Sequence, residues 1–277
     1  MKSMKTKVAM PMVCLPGTQI SVSRFVFGTA SLFNTGNAQR RLSLLEAAVE
    51  AGFTHFDTAP YYGFGWAERD LGELIQRHPH VTITSKVGIY SPGGEDASRA
   101  AVFMRKAAGR IFPAISRPTV DFNLGRAQKM LEGSLHRLRC EQIALYMLHE
   151  PDLPMVATDE WQRWLETEIT RGRIGAFGLA LTSELLIPFL DNSPELAGIV
   201  QVLDSLENCE ANCLTTRGKP LQITYGYVSA AQKRGTNKSV SEILRAALVR
   251  NPHGAIIVST TKPERMGQYA KLLESST

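Results

Sequence analysis

At 277 residues and 30.5 kDa the chain is long enough to bury a substantial core, and its 44% hydrophobic and 21% charged content excludes collagen-like, mucin-like and disordered classes. Lysine and arginine total 31 against 26 acids, a formal +5. Five basic residues (Arg99, Arg105, Lys106, Arg110, Arg117) fall between Ala97 and Val120 without an acid, so the rest of the chain is neutral and no nucleic-acid partner is expected.

Residues 1–24 contain the turn signal Pro16-Gly17 and are expected to form a hairpin across the bottom of a barrel. Short apolar runs then alternate with amphipathic stretches. Phe25–Ala30 reads as a strand and Ala38–Ala51 as a helix, with Leu42, Leu45, Ala48 and Val49 on one face and Gly52 as its cap. The pattern repeats as strand His55–Ala59 with helix Trp66–Arg77, strand Val81–Val87 with helix Leu124–Leu138, and strand Ala144–His149 with helix Asp159–Arg171. It continues through strand Ala176–Leu181 and helix Ser183–Leu190, then strand Gly198–Ser205 and a weak helix over Leu206–Leu214. Strand Leu221–Tyr227 with helix Ser239–Val249 and strand Ala255–Thr260 with helix Pro263–Leu273 complete the series. Eight strand–helix units imply parallel strands joined by crossovers, and no linker or composition shift divides them. The expected fold class is α/β, a (β/α)8 TIM barrel spanning 1–277 as one domain, with 88–123 as a long loop over the top.

Cys14, Cys140, Cys209 and Cys213 make neither a disulfide framework nor a zinc site in a chain this large, so reduced thiols and no metal are expected. The lysine-flanked apolar run Val8–Cys14 is short and broken by Pro11, and no stretch approaches a membrane span. A cytoplasmic protein without membrane contact is the expectation.

Barrel strands are buried on both faces, so ionisable residues at their ends stand out. Asp57, Lys86 and His149 close three successive strands at their C-terminal ends, where barrel active sites are built. Singly, each has a plain reading: a loop cap, a snorkelling lysine, a satisfied core histidine. Together they ask for a partner to the lysine, and Asp57 is one strand away. Tyr62, five residues beyond Asp57, adds a phenol whose pKa a neighbouring ammonium would lower, making it a general acid or base near neutral pH. A neutral His149 would orient a substrate oxygen.

Ser259 to Arg265 leave the last strand and open a helix with proline at an early position, so helix amides, hydroxyls and two cations gather there as an anion site. Gly63-Phe64-Gly65 lacks the third glycine of a dinucleotide fingerprint. It reads as a loop that aims Tyr62 and sets Phe64 or Trp66 against substrate, or packs as an apolar tip.

The stretches SRFVFGTASL, AGFTHFDTAPYYGFGWAERDLGELI, TSKVG, DFNLGRAQKMLEGSLHRL, LYMLHEPD, GRIGAFGLA and IIVSTTKPERM together resemble the aldo-keto reductases, in particular the branch of aldose 1-dehydrogenases and pyridoxal dehydrogenase-like proteins. The resemblance implies a barrel that binds NADP(H) across its top and transfers hydride to or from the carbon of a small-molecule carbonyl, alcohol or sugar. Asp57, Tyr62, Lys86 and His149 would be its catalytic set. Gly28, Thr29, Gln201, Tyr225, Ser259, Thr260, Lys262 and Arg265 would contact the cofactor, Gln201 and Tyr225 at the nicotinamide and Arg265 at the adenosine 2′-phosphate. Ala180-Leu181 stands where relatives carry Ser-Asn, the loop after strand seven is shortened to 228–238, and Ser259 replaces a phosphate-binding lysine. NAD(H) therefore stays open beside NADP(H). Two other readings are a Schiff-base aldolase with Lys86 as nucleophile and a nucleotide-sensing subunit without turnover.

Overall fold

The computed structural model describes residues 10–95 and 117–274. Eight strands close a parallel barrel in the order β3 (Phe25–Gly28), β4 (His55–Asp57), β5 (Thr82–Val87), β8 (Ile143–His149), β9 (Ile174–Leu181), β10 (Val200–Leu203), β11 (Ile223–Tyr225) and β12 (Ala255–Val258), which pairs back to β3. Each is joined to the next by a crossover, and the expected barrel is borne out. The helices α1 (Ala38–Glu50), α2 (Trp66–Arg77), α3 (Leu124–Leu138), α4 (Thr158–Thr170), α5 (Ser183–Asn192), α6 (Asn212–Thr215), α7 (Tyr227–Lys233), α8 (Val240–Arg250) and α9 (Glu264–Glu274) lie along the chain between and after them.

Local sequence explains several boundaries. Asn37 and Asn123 accept from the amides of Arg40 and Arg126 at the starts of α1 and α3, and Ser239 with Glu242 forms a reciprocal capping box on α8. The strand expected over Leu221–Tyr227 is shorter than the apolar run. Gly226 takes φ +105°, where a Cβ would meet Leu203 Cδ1 at 2.4 Å, and Tyr227 already belongs to α7. The segment after strand seven is thus a short helix rather than an open loop. The weak helix expected over Leu206–Leu214 shrinks to the single turn of α6.

At the barrel bottom, β1 (Met12–Cys14) and β2 (Ser21–Ser23) form the expected antiparallel hairpin. Its Leu15 and Val22 are buried against Val26, Leu145, Ile223 and Ala255. Gln222 donates from Nε2 to the Pro16 carbonyl at 2.9 Å, which pins the hairpin to the strand ends. At the top, β6 (Ile89–Tyr90) and β7 (Thr119–Val120) pair antiparallel, so the base of the 88–123 excursion is a ribbon. The basic residues Arg99, Arg105, Lys106 and Arg110 lie outside the described residues. Among the described residues no helix is long and apolar enough to cross a membrane, and no cluster of His, Cys, Asp and Glu could hold a metal ion.

Below the mouth, His55 points inward, and both of its ring nitrogens meet threonine hydroxyls at 2.7 Å, Nδ1 to Thr82 and Nε2 to Thr84. Burial, with the charge of Lys86, pushes this ring down from 6.5 to about 3, and His149 is likewise held well below its ordinary value. The unfolded chain therefore takes up protons that the barrel refuses as pH falls below about 6.5. Stability should drop by up to about 1.4 kcal/mol per pH unit for each ring between there and the folded values. Urea denaturation from about pH 7 to about pH 4 measures this, and His55→Asn should remove roughly half of the slope. An unchanged slope in the variant would assign the acid sensitivity elsewhere.

Candidate active site

Register builds the mouth. Side chains alternate across a strand, and the pairings Gly28↔Asp57, Asp57↔Thr84, Lys86↔Met147 and His149↔Ala180 turn Asp57, Lys86 and His149 all inward near the C-terminal ends. Lys86 is buried at 1% exposure. Its Nζ donates to both carboxylate oxygens of Asp57 at 2.7 Å and to the Thr58 carbonyl at 2.9 Å. Tyr62 Oη lies 3.5 Å from the same nitrogen, and the Tyr62 ring stands edge-on to His149 with centroids 5.9 Å apart. The four residues singled out at strand ends and on the following loop are thus brought together.

Burial pushes the Asp57 carboxyl up and the Lys86 ammonium down, and their mutual charge opposes both shifts. Two short bonds between them keep the pair ionised. With its protons directed at Asp57 and Thr58, Lys86 is held as an ammonium, which disfavours the Schiff-base reading. The expectation that Lys86 lowers the Tyr62 pKa is not met. Burial, then the charges of Asp57 and Glu150, hold the phenol well above its ordinary value, because Asp57 neutralises the ammonium that would otherwise act on it. The phenol therefore keeps its proton at neutral pH.

A cavity of about 290 Å³ opens over this set, walled by Gly28, Ala30, Glu150, Ala180, Gln201 and Tyr225 as well. A second, of about 170 Å³, reaches Arg265 and Tyr269. Both are lined by Gly226, Ser229, Ile257 and Ser259, so one trough runs from Tyr62 to the start of α9. Gln201 donates to Asp57, and its Oε1 is buried without a protein partner at the cavity wall. Gly28, Gln201, Tyr225, Ser259 and Arg265 therefore all line the trough.

Others do not. Thr29 spends its hydroxyl and its amide on the Asp57 carbonyl, both at 2.9 Å, and ties β3 to β4 instead of facing the cavity. Thr260 accepts from the Lys262 amide at 3.0 Å in a local turn, and Lys262 is exposed outside both cavities. Phe64 is buried with φ +59° in a run of left-handed residues from Gly63 to Gly65, and the Trp66 ring stacks with Arg69. Neither lines the mouth cavity, so the loop packs inward rather than presenting them there. Glu150 is the residue that sequence reasoning passed over. The signal was present: an acid directly after His149 at a strand end, before a proline.

Comparison with known proteins gives consistent results. The chain is 28% identical over 170 residues to the aldo-keto reductase YhdN of Bacillus subtilis, covering 59% of this chain and 44% of that protein. It is 22% identical over 273 residues to pyridoxal 4-dehydrogenase of Microbacterium luteolum, covering 86% and 71%. The first of these matches spans less than half of the relative's length. Among solved structures, the holo form of aldo-keto reductase AKR11C1 from Bacillus halodurans aligns with TM-score 0.73 and 17% identity over 96% of this chain and 91% of that one. An aldo-keto reductase from Klebsiella pneumoniae in complex with NADPH aligns at 0.62 and 22% over 96% and 90%. These likenesses speak for the fold. The model of the aldo/keto reductase family matches residues 24–185, more than half of the chain, and the protein belongs to that family.

Proposed function

We propose that the protein is an oxidoreductase that transfers hydride between NADP(H), or NAD(H), and the carbonyl or alcohol carbon of a small molecule such as an aldehyde, alcohol or sugar, with Tyr62 as general acid and base. The observation that carries this reading is the buried Lys86–Asp57 pair with Tyr62 Oη 3.5 Å from the ammonium at the mouth of a barrel. The pyridoxal 4-dehydrogenase among the relatives is in keeping with it.

The residues present fit a nicotinamide dinucleotide. The orphaned Gln201 Oε1 calls for an N–H donor, which a carboxamide supplies. The trough leads from there past Gly226 and Ser259 to Arg265 at the start of α9, suited to a phosphate. When bound, the nicotinamide supplies or accepts the hydride. The chain's own residues do the rest. His149, held neutral, orients the substrate oxygen, and Tyr62 gives that oxygen its proton in the reducing direction. Lys86 stabilises the phenolate left behind, and Asp57 keeps Lys86 charged and aimed.

Fluorescence quenching by NADPH and by NADH, followed by turnover of aldehydes and sugars at about 340 nm, tests the assignment; turnover would also exclude a purely sensing role. Cofactor choice has its own test. Arg265→Ala should weaken NADPH roughly tenfold or more while leaving NADH nearly unchanged, since only the former carries a 2′-phosphate to lose a charge-assisted bond. The difference should shrink as salt rises. Equal weakening of both would place Arg265 at the shared part of the cofactor.

A further inference from the structure

The mouth carries one charge that the proposed chemistry does not use. Glu150 follows His149 at the end of β8 with φ +50°, and its carboxylate lines the same cavity as Tyr62. Oε1 accepts from Tyr225 Oη and Oε2 from the Thr182 amide, both at 3.3 Å, so the group is fixed across the mouth from β8 towards β11. Among the described residues no cation forms an ion pair with it. Lys86 acts on it through space, but Lys86 is already bonded to both oxygens of Asp57. When all three are ionised, Asp57, Lys86 and Glu150 sum to one uncompensated negative charge.

We propose that Glu150 sets the redox-state preference of the nucleotide site, its carboxylate holding the oxidised, cationic nicotinamide more tightly than the reduced, uncharged one. The inference rests on the functional reading above. The two cofactor forms are nearly the same shape and differ by one positive charge, so packing and hydrogen bonds hold them alike, whereas an unpaired carboxylate distinguishes them. A structural strut between Tyr225 and Thr182 would need only an amide. The placement is also right: the trough from Arg265 ends between Tyr225 and Tyr62, and Glu150 acts electrostatically on Tyr62 and Tyr225 alike. One consequence is that the oxidised cofactor is the slower to leave after a reduction.

The groups facing Glu150 are Lys86, Asp57, Tyr62 and Tyr225 at the mouth, neighbouring His149, and Glu184 in the first turn of α5. Burial, with Glu184 adding to it, pushes the Glu150 carboxyl up, whereas His149 stays neutral and Tyr62 protonated near neutral pH. The preference should therefore be full at mildly alkaline pH and fall as acid protonates Glu150.

The test is titration of the full chain with NADP+ and with NADPH, followed by fluorescence and calorimetry, at about pH 8 and about pH 5.5. Glu150→Gln should weaken NADP+ roughly tenfold relative to NADPH, leave NADPH within about twofold, and abolish the pH dependence of the ratio. Glu184→Gln, which removes an exposed charge near the site, should leave the ratio at about pH 8 unchanged within about twofold. An unchanged ratio in Glu150→Gln with normal NADPH affinity overturns the proposal and leaves the oxidoreductase reading intact. Equal loss of both forms would make Glu150 a support of the site's shape and also overturn it. If the wild-type chain binds neither nucleotide, the functional reading fails and the proposal with it.

Discussion

A Tyr62→Phe variant is expected to keep the barrel and its NADPH affinity and to lose about 10²–10⁴-fold in kcat. Only Oη is removed, and its bond with Lys86 is, at 3.5 Å, the longest that the ammonium makes. The ring that stands against His149 remains, so neither packing nor the Asp57–Lys86 pair should change. Steady-state turnover alongside nucleotide titration separates loss of the proton donor from loss of the site. The parent enzyme's pH profile carries the same information. Because burial, Asp57 and Glu150 hold the phenol up, carbonyl reduction should be level across neutral pH, where Tyr62 is protonated. Alcohol oxidation needs the phenolate and should climb with pH, by at most about tenfold per unit. Undiminished turnover in the variant would hand proton transfer to Tyr61 or to other chemistry.

Lys86→Met is expected to abolish turnover and also to destabilise the fold, by about 3–5 kcal/mol near neutral pH, because the buried Asp57 carboxylate loses its cation. In that variant the Asp57 carboxyl, already pushed up by burial, would rise further above its unfolded value. The lost stability should then return as pH falls and the carboxyl takes up a proton. Asp57→Asn combined with Lys86→Met removes both charges and should regain most of the stability without any activity, which separates folding from chemistry. Lys86→Arg keeps the charge but not its compact geometry and should leave slight turnover. Denaturant melts of the three variants measure the first effect and initial rates the second. Full activity in the methionine variant would remove Lys86 from the mechanism.

The barrel itself was legible because its cause is local. Short apolar runs such as Tyr146-Met147-Leu148 and amphipathic stretches such as 124–138 declare their periodicity residue by residue. Asp57, Lys86 and His149 were legible for the same reason, being ionisable groups at the ends of strands buried on both faces. Tyr62 followed from its distance along the chain to Asp57.

What the sequence could not decide is where each polar atom finds its partner. Thr29 reads as a cavity residue until the β3–β4 pairing aims its hydroxyl at the Asp57 carbonyl. Phe64 reads equally as a substrate contact or a packed apolar tip until Gly63 and Gly65 fold it inward. The Tyr62 phenol reads as tuned by Lys86 until Asp57 takes up that charge from the adjacent strand. Glu150 and Tyr225, 75 residues apart, meet only because the barrel closes with one particular stagger. Hydrophobic periodicity is set by neighbours along the chain and survives small shifts. Hydrogen bonds and charge balance depend on register across strands, where a slip of one residue turns every side chain to the other face.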